Sequence, residues 1–297
     1  MNNGFIIVNK ERGFTSFDVC AKLRGILKTK KIGHTGTLDP DATGVLLVCV
    51  GNATKAVDIL PSENKEYRAV IHFGITTDTE DISGEVLNRC DDMVTGEEIT
   101  AAVQTFIGDI KQIPPMYSAI KVGGKKLYEL AREGKTIERK PRDITIHDIR
   151  IESIDYPFAT ITVSCSKGTY IRTLCKDIGE KLNVGACMES LERTKACGFD
   201  INNALTLSEI EKKAHEGKLD DIIIPTEELF KEYNVAYVKE SAVIPAQNGN
   251  RLKRGDFEET PEKNRLRVHI KEQFIGIYEY DKDRNDYKPF KMFFNQE

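Results

Sequence analysis

Two uninterrupted apolar runs frame the N-terminal part of the chain. Phe5-Ile6-Ile7-Val8 is short and closes on Asn9-Lys10, and Val45-Leu46-Leu47-Val48-Cys49-Val50 is longer and bounded by Gly44 and Gly51. Short apolar runs between turn residues predict buried strands. Between them, Val19, Leu23, Ile26 and Leu27 recur at helical spacing behind Thr15-Ser16-Phe17-Asp18, which supplies N-cap chemistry. Residues 65–74 alternate polar and apolar, as do 144–154 and 159–165, predicting strands with one buried face. Helices are predicted over 54–60, over 96–107 behind a Thr95/Glu98 capping box, from after Leu174 to Leu182, and over 207–215 behind Thr206 and Glu209. Pro114-Pro115 breaks regular structure before Gly123-Gly124, after which Tyr128 and Arg132 share a helical face. From about Glu240 the texture changes to short alternating segments and turns, as in a small β domain.

Composition narrows the class. A chain of 297 residues with 40% hydrophobic and 30% charged positions predicts one large and one small globular domain. No run of about 18 apolar residues occurs, so no membrane contact is expected. Met1 to Asn9 lacks the basic and long apolar parts of a leader. The 7 cysteines are scattered without a Cys-x-x-Cys, which argues against disulfides and zinc and for a reducing, cytoplasmic setting. The 5 histidines are too widely spaced for a metal site, and no dinucleotide fingerprint is present. A net charge of −4 speaks weakly against nucleic acid, but clustering counts for more. Two windows are basic. Lys22 to Lys31 has no acid, and Lys121 to Arg142 holds 8 cations against 3 carboxylates.

The candidate chemistry lies in the loop Gly33-His34-Thr35-Gly36-Thr37-Leu38-Asp39-Pro40-Asp41-Ala42-Thr43-Gly44. Its glycines allow tight backbone turns, and Pro40 drives Asp39 into an extended conformation. Asp39 therefore stands at the mouth of a buried strand, either tied into an Asx turn or held out for chemistry. A phosphate cradle lacks the Lys-Ser/Thr ending of a P-loop. An aspartyl-phosphate site would need a nucleophile where Gly33 stands.

This loop, with Gly51-Asn52-Ala53-Thr54-Lys55 after it, resembles the catalytic block of the TruB family of pseudouridine synthases. Lys65-x-Tyr67 followed by Gly74-x-x-Thr77-Asp78-Thr79-x-Asp81, the run Ser166 to Arg172, and the run Gly185 to Phe199 resemble further blocks of that family. At the start, Lys10-Glu11-Arg12-Gly13-Phe14-Thr15-Ser16 is similar to the family pattern except that Glu11 replaces a Pro. Glu192 stands where a basic residue is usual. The match covers most of residues 5–200 and the tail more loosely.

The resemblance implies an α+β pseudouridine synthase fold with a mixed, largely antiparallel central sheet. It implies a catalytic domain over 1–238, an RNA-clamping insertion near 114–143, and a small PUA-like RNA-binding domain over 239–297. Asp39 would be the nucleophile, Arg172 its ion-pair partner keeping it ionised, and Tyr67 the ring stacked on the target base. Tyr170 would pack under the base, Leu191 would line the uracil pocket, and His34 would fill the stack vacated by the flipped nucleotide. Lys10, Gly36, Thr37 and Lys167 would be further substrate contacts, and Lys125, Lys126, Arg132 and Arg193 would hold the RNA backbone. The implied reaction isomerises the T-arm uridine of tRNA (position 55 in tRNA numbering) without a cofactor, a metal or an obligatory protein partner. A guide-RNA-dependent relative acting on ribosomal RNA and a tRNA-folding chaperone are the alternatives.

Overall fold

The computed structural model describes residues 3–60 and 64–294. The leader reading at Met1-Asn2 and the outer ends of both expected domains lie outside the described residues. The chain opens with β1 (Gly4–Lys10), α1 (Ser16–Ile26), β2 (Ile32–His34), β3 (Thr43–Val50) and β4 (Lys65–Phe73). A hairpin of β5 (Ile75–Thr77) and β6 (Val86–Arg89) leads to α2 (Gly96–Gln104) and β7 (Gly108–Gln112). The basic segment forms a second hairpin, β8 (Lys121–Val122) and β9 (Lys125–Lys126), then α3 (Leu127–Arg132). Next come β10 (Arg142–Asp155), β11 (Phe158–Cys165), α4 (Ile171–Lys181), β12 (Ala186–Ala196), β13 (Phe199–Asp200) and α5 (Leu207–His215).

The central sheet runs β1-β3-β12-β4-β11-β10-β7, with β2 on β3 and β13 on β12. Neighbours are antiparallel except β3 and β12, which run parallel with Glu192 opposite Thr43 and Arg193 opposite Gly44. The sheet is therefore mixed and largely antiparallel. β3 is an apolar run because the sheet is covered on both sides there. Val45, Leu47 and Cys49 pack with Phe5, Ile7 and Phe230. Leu46, Val48 and Val50 pack with Val19, Leu23 and Ile210 beneath α1 and α5. β4 alternates because one face only is core: Tyr67, Ala69, Ile71 and Phe73 are buried and Arg68 is exposed. The capping boxes Thr15/Asp18, Thr95/Glu98 and Thr206/Glu209 are all formed.

One predicted helix is different. Residues 54–60 do not form an α-helix; Gly51–Ala56 is a 3-10 turn, started by Gly51 at φ +64 and held by Thr54 Oγ1 donating to Gly51 O at 2.8 Å. The tail is a curled five-stranded sheet in the order β14 (Asn234–Tyr237), β16 (Arg265–Ile270), β17 (Gln273–Asp281), β18 (Asp286–Met292), β15 (Leu252–Lys253). It begins at Asn234, ahead of the expected division at 239. Ile277 and Phe293 join the core around Phe5 and Phe230, and Asn52 Nδ2 donates to Phe293 O at 2.9 Å. No helix among the described residues is long and apolar enough to cross a membrane.

Candidate active site

The loop between β2 and β3 floors a cleft of about 1180 Å³ that also takes in the starts of β4, α4 and α1, the middle of β12 and the basic hairpin. Asp39 stands in this cleft, 3.2 Å from Arg172 Nε. Arg172 comes from the first turn of α4 and is only 6% exposed. Its guanidinium does not clamp Asp39 with two parallel bonds. Nη1 donates to Thr79 O at 3.1 Å and to Asp81 Oδ2 at 3.3 Å, and Nη2 donates to Tyr117 O at 2.9 Å. One planar cation thus pins Asp39, the β5–β6 loop and the segment leading into the basic hairpin. Asp81 is itself held, with Oδ1 accepting from Thr79 Oγ1 at 2.8 Å and Ser83 N at 3.1 Å.

Burial pushes the Asp39 carboxyl above its ordinary value; Arg172 opposes the rise and the Asp81 charge adds to it. Arg172 thus acts in the expected direction, favouring the ionised carboxylate against the cost of burial.

Two residues assigned to the substrate belong to the scaffold beneath it. Lys10 is fully buried, and its Nζ donates to Phe14 O at 2.6 Å, Pro40 O at 3.0 Å and Glu11 O at 3.1 Å. Arg193 is 1% exposed, and its Nε donates to Val45 O at 2.7 Å and its Nη2 to Gly36 O at 3.1 Å. The physical reason is the loop. An irregular segment cannot satisfy its own inward-facing carbonyls, and buried carbonyls need donors. Lys10 and Arg193 supply them from β1 and β12, and Ser16 Oγ accepts from Leu38 N at 2.9 Å. Burial lowers the Lys10 ammonium to about 8, with Asp39 and Asp41 working against that shift. Gly44 is required here: it adopts φ +100, and a Cβ would meet Arg193 O at 2.3 Å.

The remaining predicted residues divide. Tyr67, Tyr170, Leu191, His34 and Thr37 all line the cleft with Asp39. Tyr67 is buried, and burial raises its phenol, so it stays a neutral ring. Tyr170 is fixed through its backbone, its N–H donating to Gln112 Oε1 at 2.8 Å and its carbonyl accepting from Gln112 Nε2 at 3.0 Å. His34 Nδ1 is buried and has no hydrogen-bond partner among the described residues, and burial and the Arg193 charge lower its pKa. Lys126 and Arg132 reach the cleft and sit over the Tyr128 ring at 5.3 and 5.5 Å. Lys125 pairs with Glu133 at 2.9 Å, and Lys167 is exposed on the turn before Tyr170.

Comparison with known proteins matches this architecture. The model for the TruB family pseudouridylate synthase N-terminal domain matches residues 24–171, and that for the tRNA pseudouridylate synthase B C-terminal domain matches 172–231. A tRNA pseudouridine synthase B of Lachnoclostridium phytofermentans is 52% identical, covering 98% of this chain and 99% of the relative. The chain belongs to the TruB family of pseudouridine synthases. A second TruB relative, from Clostridium tetani, is 43% identical over 95% of this chain and 96% of its own. Among solved structures, a chain of a Cbf5-Nop10-Gar1 complex superposes with a TM-score of 0.74 at 25% identity, covering 98% of this chain and 85% of that one. This TruB chain is accordingly an RNA uridine isomerase.

Residues that the sequence did not single out complete the TruB site. Asp81, on the Arg172 network, ends the Thr77-Asp78-Thr79-x-Asp81 run, and only its position in that motif marks it. Gln112, which fixes Tyr170, carries no local signal. Lys65 lines the cleft and lies on the inward side of β4, in step with Tyr67 and Ala69. That parity and its place in the Lys65-x-Tyr67 motif were the available signs.

Proposed function

We propose that this enzyme isomerises the T-arm uridine of tRNA to pseudouridine, with Asp39 as nucleophile. The observation that carries the reading is the Asp39 carboxylate, 3.2 Å from a buried Arg172, in a cleft roomy enough for an extruded nucleotide and walled by Tyr67, Tyr170 and Leu191. A stacked uridine hides its sugar and base from a nucleophile, so the nucleotide flips out first. Asp39 then attacks the nucleotide, the N1–C1′ bond breaks, a C5–C1′ bond forms, and Asp39 is released with its electron pair, while the proton lost from C5 is balanced by one taken up at N1. Tyr67, Tyr170 and Leu191 hold the loosened base, and His34 faces the gap it leaves. Lys126 and Arg132 meet phosphates, and the five-stranded tail serves as a PUA-like RNA-binding module. The enzyme works in the cytoplasm.

Near-full-length likeness to relatives named tRNA pseudouridine synthase B favours a stand-alone enzyme over the guide-RNA-dependent alternative, although the Cbf5 neighbour was solved in a Cbf5-Nop10-Gar1 complex. The test is to incubate the purified chain alone with T-arm, anticodon-arm and ribosomal hairpin RNAs and map carbodiimide stops by primer extension. A single stop in the T loop is expected. Stops in the other hairpins only, or tight binding without any stop, would overturn the proposal.

A further inference from the structure

Two cations, Lys65 and Arg193, come together beside Gly36 at the edge of the cleft. Lys65 lines it at the start of β4, and among the described residues no hydrogen bond or ion pair to its ammonium is found. Burial lowers the pKa of this ammonium, and the Arg193 charge lowers it further, with Cys197, Cys165 and Lys167 acting more weakly. The Cys165 thiol is pushed up to about 11 by burial, so it does not serve as an anion at neutral pH. Arg193 spends its donors on neutral groups, the carbonyls of Val45, Thr37 and Gly36 and the Tyr67 hydroxyl. His34 Nδ1 lies on the same wall without a hydrogen-bond partner among the described residues. A partly buried cation without a counter-ion is costly, and a cleft that concentrates such cations is completed by an anionic ligand.

We infer that Lys65 seats a phosphate of the RNA beside the flipped uridine, with the Arg193 charge behind it. This rests on the reading of the chain as an RNA uridine isomerase. Lys65 and Tyr67 lie on one face of β4, separated by about 7 Å of strand. A base stacked on Tyr67 thus brings its sugar-phosphate within reach of the ammonium. Gly36 leaves the approach open: a Cβ there would sit 3.5 Å from both Lys65 Nζ and Arg193 Nη1, in ordinary contact and without a positive φ. Lys65 is a binding and positioning residue, and Asp39 remains the group that reacts.

The experiment measures binding of the T-arm stem-loop at a series of salt concentrations for wild type, Lys65→Met, Lys65→Arg and Gly36→Ala. Melting temperatures without RNA are read alongside. Lys65→Met should weaken binding by roughly tenfold and lower the slope of log affinity against log salt by about 0.7 to 0.9, the release expected for one phosphate contact. Lys65→Arg should restore the slope. Gly36→Ala should weaken binding while leaving melting unchanged. Without RNA, Lys65→Met should melt no lower than wild type, because an uncompensated charge has been removed. An unchanged slope and affinity for Lys65→Met would overturn the inference. So would a lowered melting point with the slope intact, which marks a merely structural lysine. Conversion by wild type is followed in the same tubes. Its absence would refute the enzyme reading, whereas an intact slope in a converting system would refute the phosphate seat alone.

Discussion

Arg172 and Arg193 stand on opposite sides of the same loop, both almost wholly buried, and they do different work. Arg172 faces two carboxylates, Asp39 and Asp81, and its remaining donors reach the carbonyls of Thr79 and Tyr117. Arg193 faces the carbonyls of Val45, Gly36 and Thr37 and the Tyr67 hydroxyl, and no carboxylate pairs with it among the described residues. The first side is an ion-pair network in which charge is balanced around a reactive group. The second is a splint for irregular backbone. The difference shows that burial of an arginine does not reveal its role; the groups its donors find do. It also shows how a loop without regular structure is made rigid enough to aim a carboxylate: its ends lie in β2 and β3, and its middle hangs from Lys10, Ser16 and Arg193.

Breaking the ion-pair side should have the largest effect on chemistry. Arg172→Ala leaves Asp39 and Asp81 facing each other without a counter-ion, and single-turnover conversion should fall by about 10²- to 10³-fold. Lysine in its place should recover little, because one ammonium cannot reach all the partners that the planar fork joins. Breaking the splint should cost stability more than chemistry. Arg193→Met strands the Val45 and Gly36 carbonyls, and unfolding by denaturant should show a loss of about 3 kcal/mol. The rate at saturating RNA should fall less than in Arg172→Ala.

A smaller effect sharpens the electrostatic part of the comparison. Asp39 reacts ionised, so conversion should rise with pH along an acid limb set above the ordinary carboxylate value of 3.8. Asp81 helps hold the Asp39 carboxyl up, so Asp81→Asn should move that limb to lower pH. A limb that stays in place would assign it to another group.

Much of this was legible in the chain because it is local. Capping boxes at Thr15, Thr95 and Thr206 involve residues three apart, and all three form. The apolar run of β3 and the alternation of β4 report their own burial. The Asp39–Arg172 pair was implied by the family resemblance of two motifs from distant parts of the chain. What the sequence hid is long-range. Lys10 and Arg193 look like RNA-facing cations beside a catalytic motif, and only the fold shows that each turns inward to carbonyls far away in sequence, Pro40 for the first and Gly36 and Val45 for the second. The segment after β3 carried helical residue types, but Gly51 in the left-handed region set a tight 3-10 turn instead. Lys65 was hidden differently. A lysine at a strand start reads as solvated, although its parity with Tyr67 placed it inside.

The most direct test of the account compares wild type with Asp39→Asn on one T-arm stem-loop under single-turnover conditions, with binding measured on the same samples. The raised carboxyl carries a second consequence. A carboxylate whose folded pKa lies above its unfolded value weakens the fold as pH rises through that interval, so at neutral pH Asp39→Asn should melt no lower than wild type and bind as well. The account predicts retained binding, an intact fold and no detectable pseudouridine. Conversion by Asp39→Asn at a rate near wild type would contradict it, because the carboxylate held by Arg172 would then not be the group that reacts.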